Sequence, residues 1–203
     1  MNNTFTKDDF EVKSWTEYEE LLDQLYQKIS QYLQENNIKI DALVPILRGG
    51  AIPGTILAYK LKLINILPVQ YKYLTQDDNF ETKGLLTPDK IDFNLPVNST
   101  ILLVDNNHCT GKSVSLVIED LKAKYHDCKI LYAVTRMDYS YQKVDFTENV
   151  FYGELSNETR TLTEEKTIEL GIGNKIVIFP WESLEEQLAA VNQESFDYQA
   201  TNR

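Results

Sequence analysis

Apolar positions in SWTEYEELLDQLYQKISQYLQEN (14–36) fall at Tyr18, Leu21, Leu22, Leu25, Ile29 and Leu33. That spacing lines one face of a helix, and Ser14 ahead of it suits an N-cap. Further along, the pattern changes to short, unbroken apolar runs: DALVPIL (41–47), ILPVQYKYL (66–74), STILLVD (99–105), KILYAVTR (129–136), ENVFYGEL (148–155) and IVIFPWE (176–182). Each has the length and composition of a buried strand. Helical patterns lie between them at AIPGTILAYKLKL (51–63), with Pro53 in its first turn, and at KSVSLVIEDLKAKY (112–125). IVIFPWE is expected to close the sheet, with SLEEQLAAV (183–191) as a helix behind it. Residues 75–98 are polar with scattered Gly and Pro and predict a long excursion or flap.

Strands alternating with helices predict an α/β fold: a mostly parallel central sheet, helices on both faces, and a small hood from the flap and C-terminal segments. Residues 1–192 read as one domain and 193–203 as a frayed tail. The 20 basic and 31 acidic residues give a net charge of −11, which argues against a broad nucleic-acid-binding face. Cys109 and Cys128 lack metal-ligand spacing and cannot build a disulfide framework, so reduced thiols in a cytoplasmic protein are expected. No secretory pattern opens the chain, and no apolar run approaches the roughly 20 residues of a membrane span, so no membrane partner is expected.

The candidate chemistry concentrates in ILLVDNNHCTGKS (101–113). In an open parallel sheet, ligands collect at the carboxyl ends of strands, where ILLVD puts Asp105. A helix beginning near Ser113 aims the amides of residues 110–113 at an anion, and Gly111 lets backbone approach it closely. Thr110 and Ser113 add hydroxyl donors, and Lys112 adds charge. A P-loop would match the Gly-Lys-Ser end, but it needs Gly where Asn106 stands. An ordinary strand-to-helix turn with Thr-Gly punctuation is the bland reading. His108 lies in this loop, where a solvent-facing ring is the default.

The segment also resembles the type I phosphoribosyltransferase loop: a hydrophobic run, one or two acids, a few variable residues, then Thr-Gly-x-[ST]. DALVPILRGGAIPGTILAYKL resembles the pyrophosphate loop and following helix of xanthine/hypoxanthine-type members, and IVIFPWE resembles the ending of that subgroup. VKSW before the first helix fits its opening, so the resemblance runs in order from Val12 to Glu182. It implies transfer of 5-phosphoribosyl from phosphoribosyl pyrophosphate to a nitrogen base, purine favoured, with release of pyrophosphate in nucleotide salvage. It implies Mg²⁺, held in part by Asp105, and leaves room for a homo-oligomer. Asp105 and Asn106 would hold the ribose, Thr110, Gly111, Lys112 and Ser113 the 5′-phosphate, and Arg48 with Gly49 the pyrophosphate. Leu47–Arg48 would be a non-proline cis peptide. Arg136, Ile176 and Val177 would border the base.

Three positions depart from the purine pattern. Asn106 stands for the second of paired acids, Cys109 for a third acid that meets the base, and Ile176 for a stacking aromatic residue. Asp105, Asn106 and Cys109 therefore hold the catalytic positions with one carboxylate among them. Those departures motivate an alternative: a non-catalytic sensor of a nucleotide or of phosphoribosyl pyrophosphate on the same fold.

Overall fold

A computed structural model describes residues 5–71, 94–189 and 191–192 of the 203-residue chain. Most of the expected flap and all of the expected tail therefore lie outside the described residues. The strands are β1 (Phe10–Val12), β2 (Ala42–Leu47), β3 (Val69–Gln70), β4 (Thr100–His108), β5 (Lys129–Asp138), β6 (Asn149–Ser156) and β7 (Ile176–Ile178). Five of them form a wholly parallel sheet in the order β3-β2-β4-β5-β6. Helices α1 (Trp15–Glu35), α2 (Ala51–Lys60), α3 (Lys112–Lys124) and α4 (Glu164–Leu170) surround it.

Both faces of the sheet are covered, which is why its strands read as continuous apolar runs rather than alternating ones. Val114, Val117, Ile118 and Leu121 of α3 pack on Ile101, Leu103, Ile130 and Tyr132. On the other face Leu25, Ile29 and Leu57 of α1 and α2 pack on Leu43, Leu102 and Leu131. Each fully buried side chain of this kind contributes about 1.5–3 kcal/mol, so the centre of the sheet is a rigid base for the loops at its edge. A capping box starts α1: the Ser14 hydroxyl accepts from Glu17 N, and Glu17 Oε2 accepts from Ser14 N at 2.7 Å.

Several elements differ from the sequence expectation. Ile176–Ile178 does not close the central sheet; it pairs in parallel with β1, Phe10 opposite Ile176, as a separate two-stranded hood. Three residues offer little ladder, and the apolar groups of this segment bury instead on Tyr18 and Leu22 of α1. Of ILPVQYKYL only residues 66–71 are described, and among them β3 takes Val69–Gln70 alone. Helix α4 was not foreseen, although Thr163 caps it, Glu164 and Glu165 open it and Gly171 ends it at φ 64°. Behind the hood, residues 184–189 are helical as expected.

Candidate active site

The chain leaves β2 through a cis peptide between Leu47 and Arg48. The turn that follows packs against β4 so closely that side chains are excluded. A Cβ on Gly49 would lie 2.8 Å from Asp105 Oδ1, and one on Gly50 would lie 2.8 Å from both Ile46 N and Ile46 O. The pair of glycines is thus a steric requirement of bringing the RGG turn against the end of β4.

A cleft of about 770 Å³ opens there, lined among others by Arg48, Gly49, Asp105, Ser113, Trp181 and Glu182. Trp181 stacks on Phe179 at 5.4 Å between ring centroids and meets Tyr18 edge-on at 4.8 Å, so the Phe-Pro-Trp-Glu segment walls the cleft with fixed aromatic rings. Asp105 accepts from Asn106 N at 2.7 Å and meets no cationic side chain among the described residues. Burial pushes its carboxyl up to about 7, opposed by that one backbone donor. Burial also raises Glu182, opposed by Phe179 N–H and by the charge of Arg48.

Next to the cleft, Gly111 sits at φ 75° and caps α3 without any side-chain hydrogen bond. The first amides of α3 therefore have no side-chain cap. A Cβ on Gly111 would come within 2.9 Å of the His108 ring. Contrary to the default reading, His108 is buried under the loop, with Nδ1 3.1 Å from the Tyr132 hydroxyl. Burial lowers its pKa to about 4, against the ring's hydrogen bond to the Tyr141 backbone carbonyl and the charge of Asp138, so the ring is neutral packing. Ser113 lines the cleft, whereas Thr110 and Lys112 are exposed at its outer end.

The period of two along β4 sends Asn106 away from Asp105. Its side-chain oxygen accepts from the Tyr18 hydroxyl at 2.9 Å and from Thr135 Oγ1 at 2.8 Å, both buried. Tyr18 was legible as a core residue of α1, but nothing in the sequence linked it to this loop. The amide at 106 accordingly ties α1, β4 and β5 together below the cleft.

The remaining expected residues gather one step across the sheet. Arg136, paired in register with Asn107, is only 2% exposed. It reaches Glu154 at 3.4 Å and Glu158 at 3.8 Å, and donates to the Lys175 carbonyl at 2.8 Å. The Asn107 amide donates to Glu158 at 3.1 Å. Ile176 follows Lys175 and is half-buried; Val177 is buried. Burial, followed by the charge and hydrogen bond of Glu158, drives the Cys109 thiol well above its ordinary range. Burial also raises Glu158, against Arg136, Asn107 and Cys109. Glu158 comes from the loop after β6, where Ser-Asn-Glu-Thr carries no pattern that marks it.

No curated protein matches the chain in sequence at a significant level. Its structure is similar to a purine phosphoribosyltransferase from Pyrococcus horikoshii, at 21% identity over 86% of this chain and 95% of that one, TM-score 0.58. It is similar to a hypothetical protein from Neisseria gonorrhoeae with bound ppGpp, at 16% identity over 91% and 96%, TM-score 0.61. It is also similar to a xanthine-guanine-hypoxanthine phosphoribosyltransferase from Helicobacter pylori, at 18% identity over 89% and 99%, TM-score 0.54. At these identities the likeness is one of fold. The phosphoribosyl transferase domain model matches residues 14–165, from the cap of α1 to the start of α4, and with that span the chain belongs to the phosphoribosyltransferase domain family.

Proposed function

We propose that this protein transfers 5-phosphoribosyl from phosphoribosyl pyrophosphate to a nitrogen base, a purine by preference, and releases pyrophosphate. The observation that carries the reading is the cleft that unites Arg48, Gly49, Asp105 and Ser113, with the open amides of α3 beside it. A sugar hydroxyl pair needs an anionic acceptor, and the phosphates at its two ends need donors that add little bulk. Asp105 supplies the first, and the backbone of residues 48–49 and 110–113 the second. Two similar structures are purine phosphoribosyltransferases, which favours a purine.

Asp105 accepts from the ribose hydroxyls, the start of α3 holds the 5′-phosphate, and the turn after β2 orients the pyrophosphate. The bond from the anomeric carbon to pyrophosphate breaks, a base nitrogen forms the new bond from the opposite face, and the proton of that nitrogen passes to water or to the leaving pyrophosphate. Positive charge develops at the anomeric carbon, where Asp105 faces it, and holding both reactants supplies much of the rate. Asp105 would hold a magnesium ion together with substrate phosphates: one of its oxygens accepts from Asn106 N, and the carboxylate has no cationic partner among the described residues. When bound, the ion neutralises the leaving pyrophosphate.

The test is pyrophosphate release from Mg²⁺ and phosphoribosyl pyrophosphate with a panel of purine and pyrimidine bases, with a purine expected to give turnover. A specific observation favours a second reading, a non-catalytic sensor. Asn106 is committed to Tyr18 and Thr135, no carboxylate stands at 106 or 109, and one similar structure holds ppGpp. Binding of phosphoribosyl pyrophosphate without release for any base would establish the sensor and overturn the transferase.

A further inference from the structure

The cluster around Glu158, whose Asn107 lies two residues beyond the cleft's Asp105 on β4, holds two buried polar atoms without hydrogen-bond partners, Asn107 Oδ1 and Arg136 Nε. Both flank the carboxylate of Glu158. The Asn107 nitrogen donates to the two Glu158 oxygens, at 3.1 and 3.4 Å, and to Cys109 Sγ at 3.5 Å. Those contacts set the orientation of the amide and leave its oxygen as an unfilled acceptor. Arg136 stands 3.8 Å from Glu158, beyond hydrogen-bond length, because its other nitrogens are drawn to Glu154 and the Lys175 carbonyl. Lys13 adds its charge to Glu11 and Glu154 but not to Glu158. Glu158 is thus the least neutralised carboxylate of the cluster, and at 12% exposure it is not sealed.

A buried acceptor left open beside an under-neutralised carboxylate is costly unless a ligand donates to it. Asn107 lies two residues beyond Asp105, roughly 7 Å along an extended strand. That is the reach from a sugar held at Asp105 to the far edge of a base attached to it. We propose that Asn107 Oδ1 and the Glu158 carboxylate form an acceptor pair that selects the base, favouring a purine edge with adjacent amino and ring N–H donors over an edge flanked by oxo groups. Arg136 is the positioning residue, holding Glu158 rather than reading the base. An oxo group opposite Glu158 sets acceptor against acceptor, so a xanthine-type base is rejected, and hypoxanthine, with its single donor, falls between.

This inference rests on the transferase reading of the cleft, and equilibrium binding separates the two. The probes are ribose 5-phosphate and the 5′-monophosphates of guanosine, inosine and xanthosine. The guanine nucleotide is expected to bind at least about tenfold tighter than the xanthine nucleotide, with inosine between. Glu158→Gln replaces one acceptor oxygen by a donor, and Asn107→Leu removes the other acceptor. Each is expected to shrink the ratio to about threefold or less while ribose 5-phosphate affinity persists. Should Glu158→Gln fail to fold, Asn107→Leu carries the test alone. Xanthosine monophosphate bound as tightly as the guanine nucleotide, or a ratio unmoved in the folded variants, overturns the selection and leaves the transferase reading intact. Failure of ribose 5-phosphate and all three nucleotides to bind overturns both.

Discussion

The two ends of the site are made of different material. At the proposed phosphate end the groups are backbone: a turn with two glycines without room for a Cβ, and the start of α3, whose Gly111 cap offers no side-chain hydrogen bond. At the proposed base end they are side chains from separate elements, Asn107 on β4, Glu158 after β6 and Ile176 on β7, with buried Arg136 of β5 holding Glu158. The phosphate end is held in the fold by close backbone packing and backbone hydrogen bonds such as Gly50 N to the Ile46 carbonyl at 2.7 Å. Its buried carboxylate, Asp105, meets no cationic side chain among the described residues. The base end is an ion network whose members depend on one another. The contrast predicts that the two ends respond in opposite ways when a charged residue is removed.

The largest effect is expected at the base end. Arg136→Met leaves Glu158 without its buried cation and Glu154 with Lys13 alone, and breaking such a pair costs about 3–5 kcal/mol. Thermal unfolding checks this, and a fall of roughly 6–20 °C is expected. At the phosphate end the sign reverses. A carboxyl raised to about 7 gives a proton-dependent stability that is fully present below its unfolded pKa near 4 and lost as pH rises through 7. Asp105→Asn removes that loss, so at pH 8 the unliganded variant is expected to be more stable by on the order of 2–4 kcal/mol. The same variant is expected to lose ligand binding. An Asp105→Asn protein that melts lower than the wild type at pH 8 would break the comparison.

His108 sharpens it next. Its pKa is lowered to about 4, so the stability of keeping the ring neutral is present above its unfolded pKa of about 6.5 and is lost as pH falls through 4. On the order of 2–3 kcal/mol is at stake, and an NMR titration of the ring should show it neutral at pH 5. The smallest effect is expected for Tyr18→Phe. Asn106 keeps its bond from Thr135, so losing the Tyr18 donor costs about 1 kcal/mol in denaturant unfolding. A cost of several kcal/mol would mean that the amide at 106 depends on Tyr18 alone.

The same contrast explains what the sequence disclosed. Backbone sites need glycines, a strand end and a helix start at fixed offsets, so Arg48-Gly49 and Asp105 to Ser113 were legible as local patterns. The buried parallel strands were legible as unbroken apolar runs, and α1 by a helical period sustained over its length. β1 was not, since three residues carry no period, and β7 left the expected sheet because its partner is 166 residues away. Glu158 and the tie from Tyr18 to Asn106 were hidden for a related reason. They are pairings between side chains 51 and 88 residues apart, and one sequence holds no local trace of such a contact. His108 was misread because loop position alone does not reveal that Tyr132 and Gly111 enclose the ring.

The central claim is that the cleft takes a phosphoribosyl pyrophosphate through Asp105. Calorimetric titration of Mg²⁺ and phosphoribosyl pyrophosphate into the wild type and Asp105→Asn, with Mg²⁺ and ATP as comparison, tests it most directly. The account predicts binding by the wild type, loss of at least about tenfold in affinity in the variant, and weak binding of ATP. Tight ATP binding, with phosphoribosyl pyrophosphate affinity unchanged by Asp105→Asn, would contradict it.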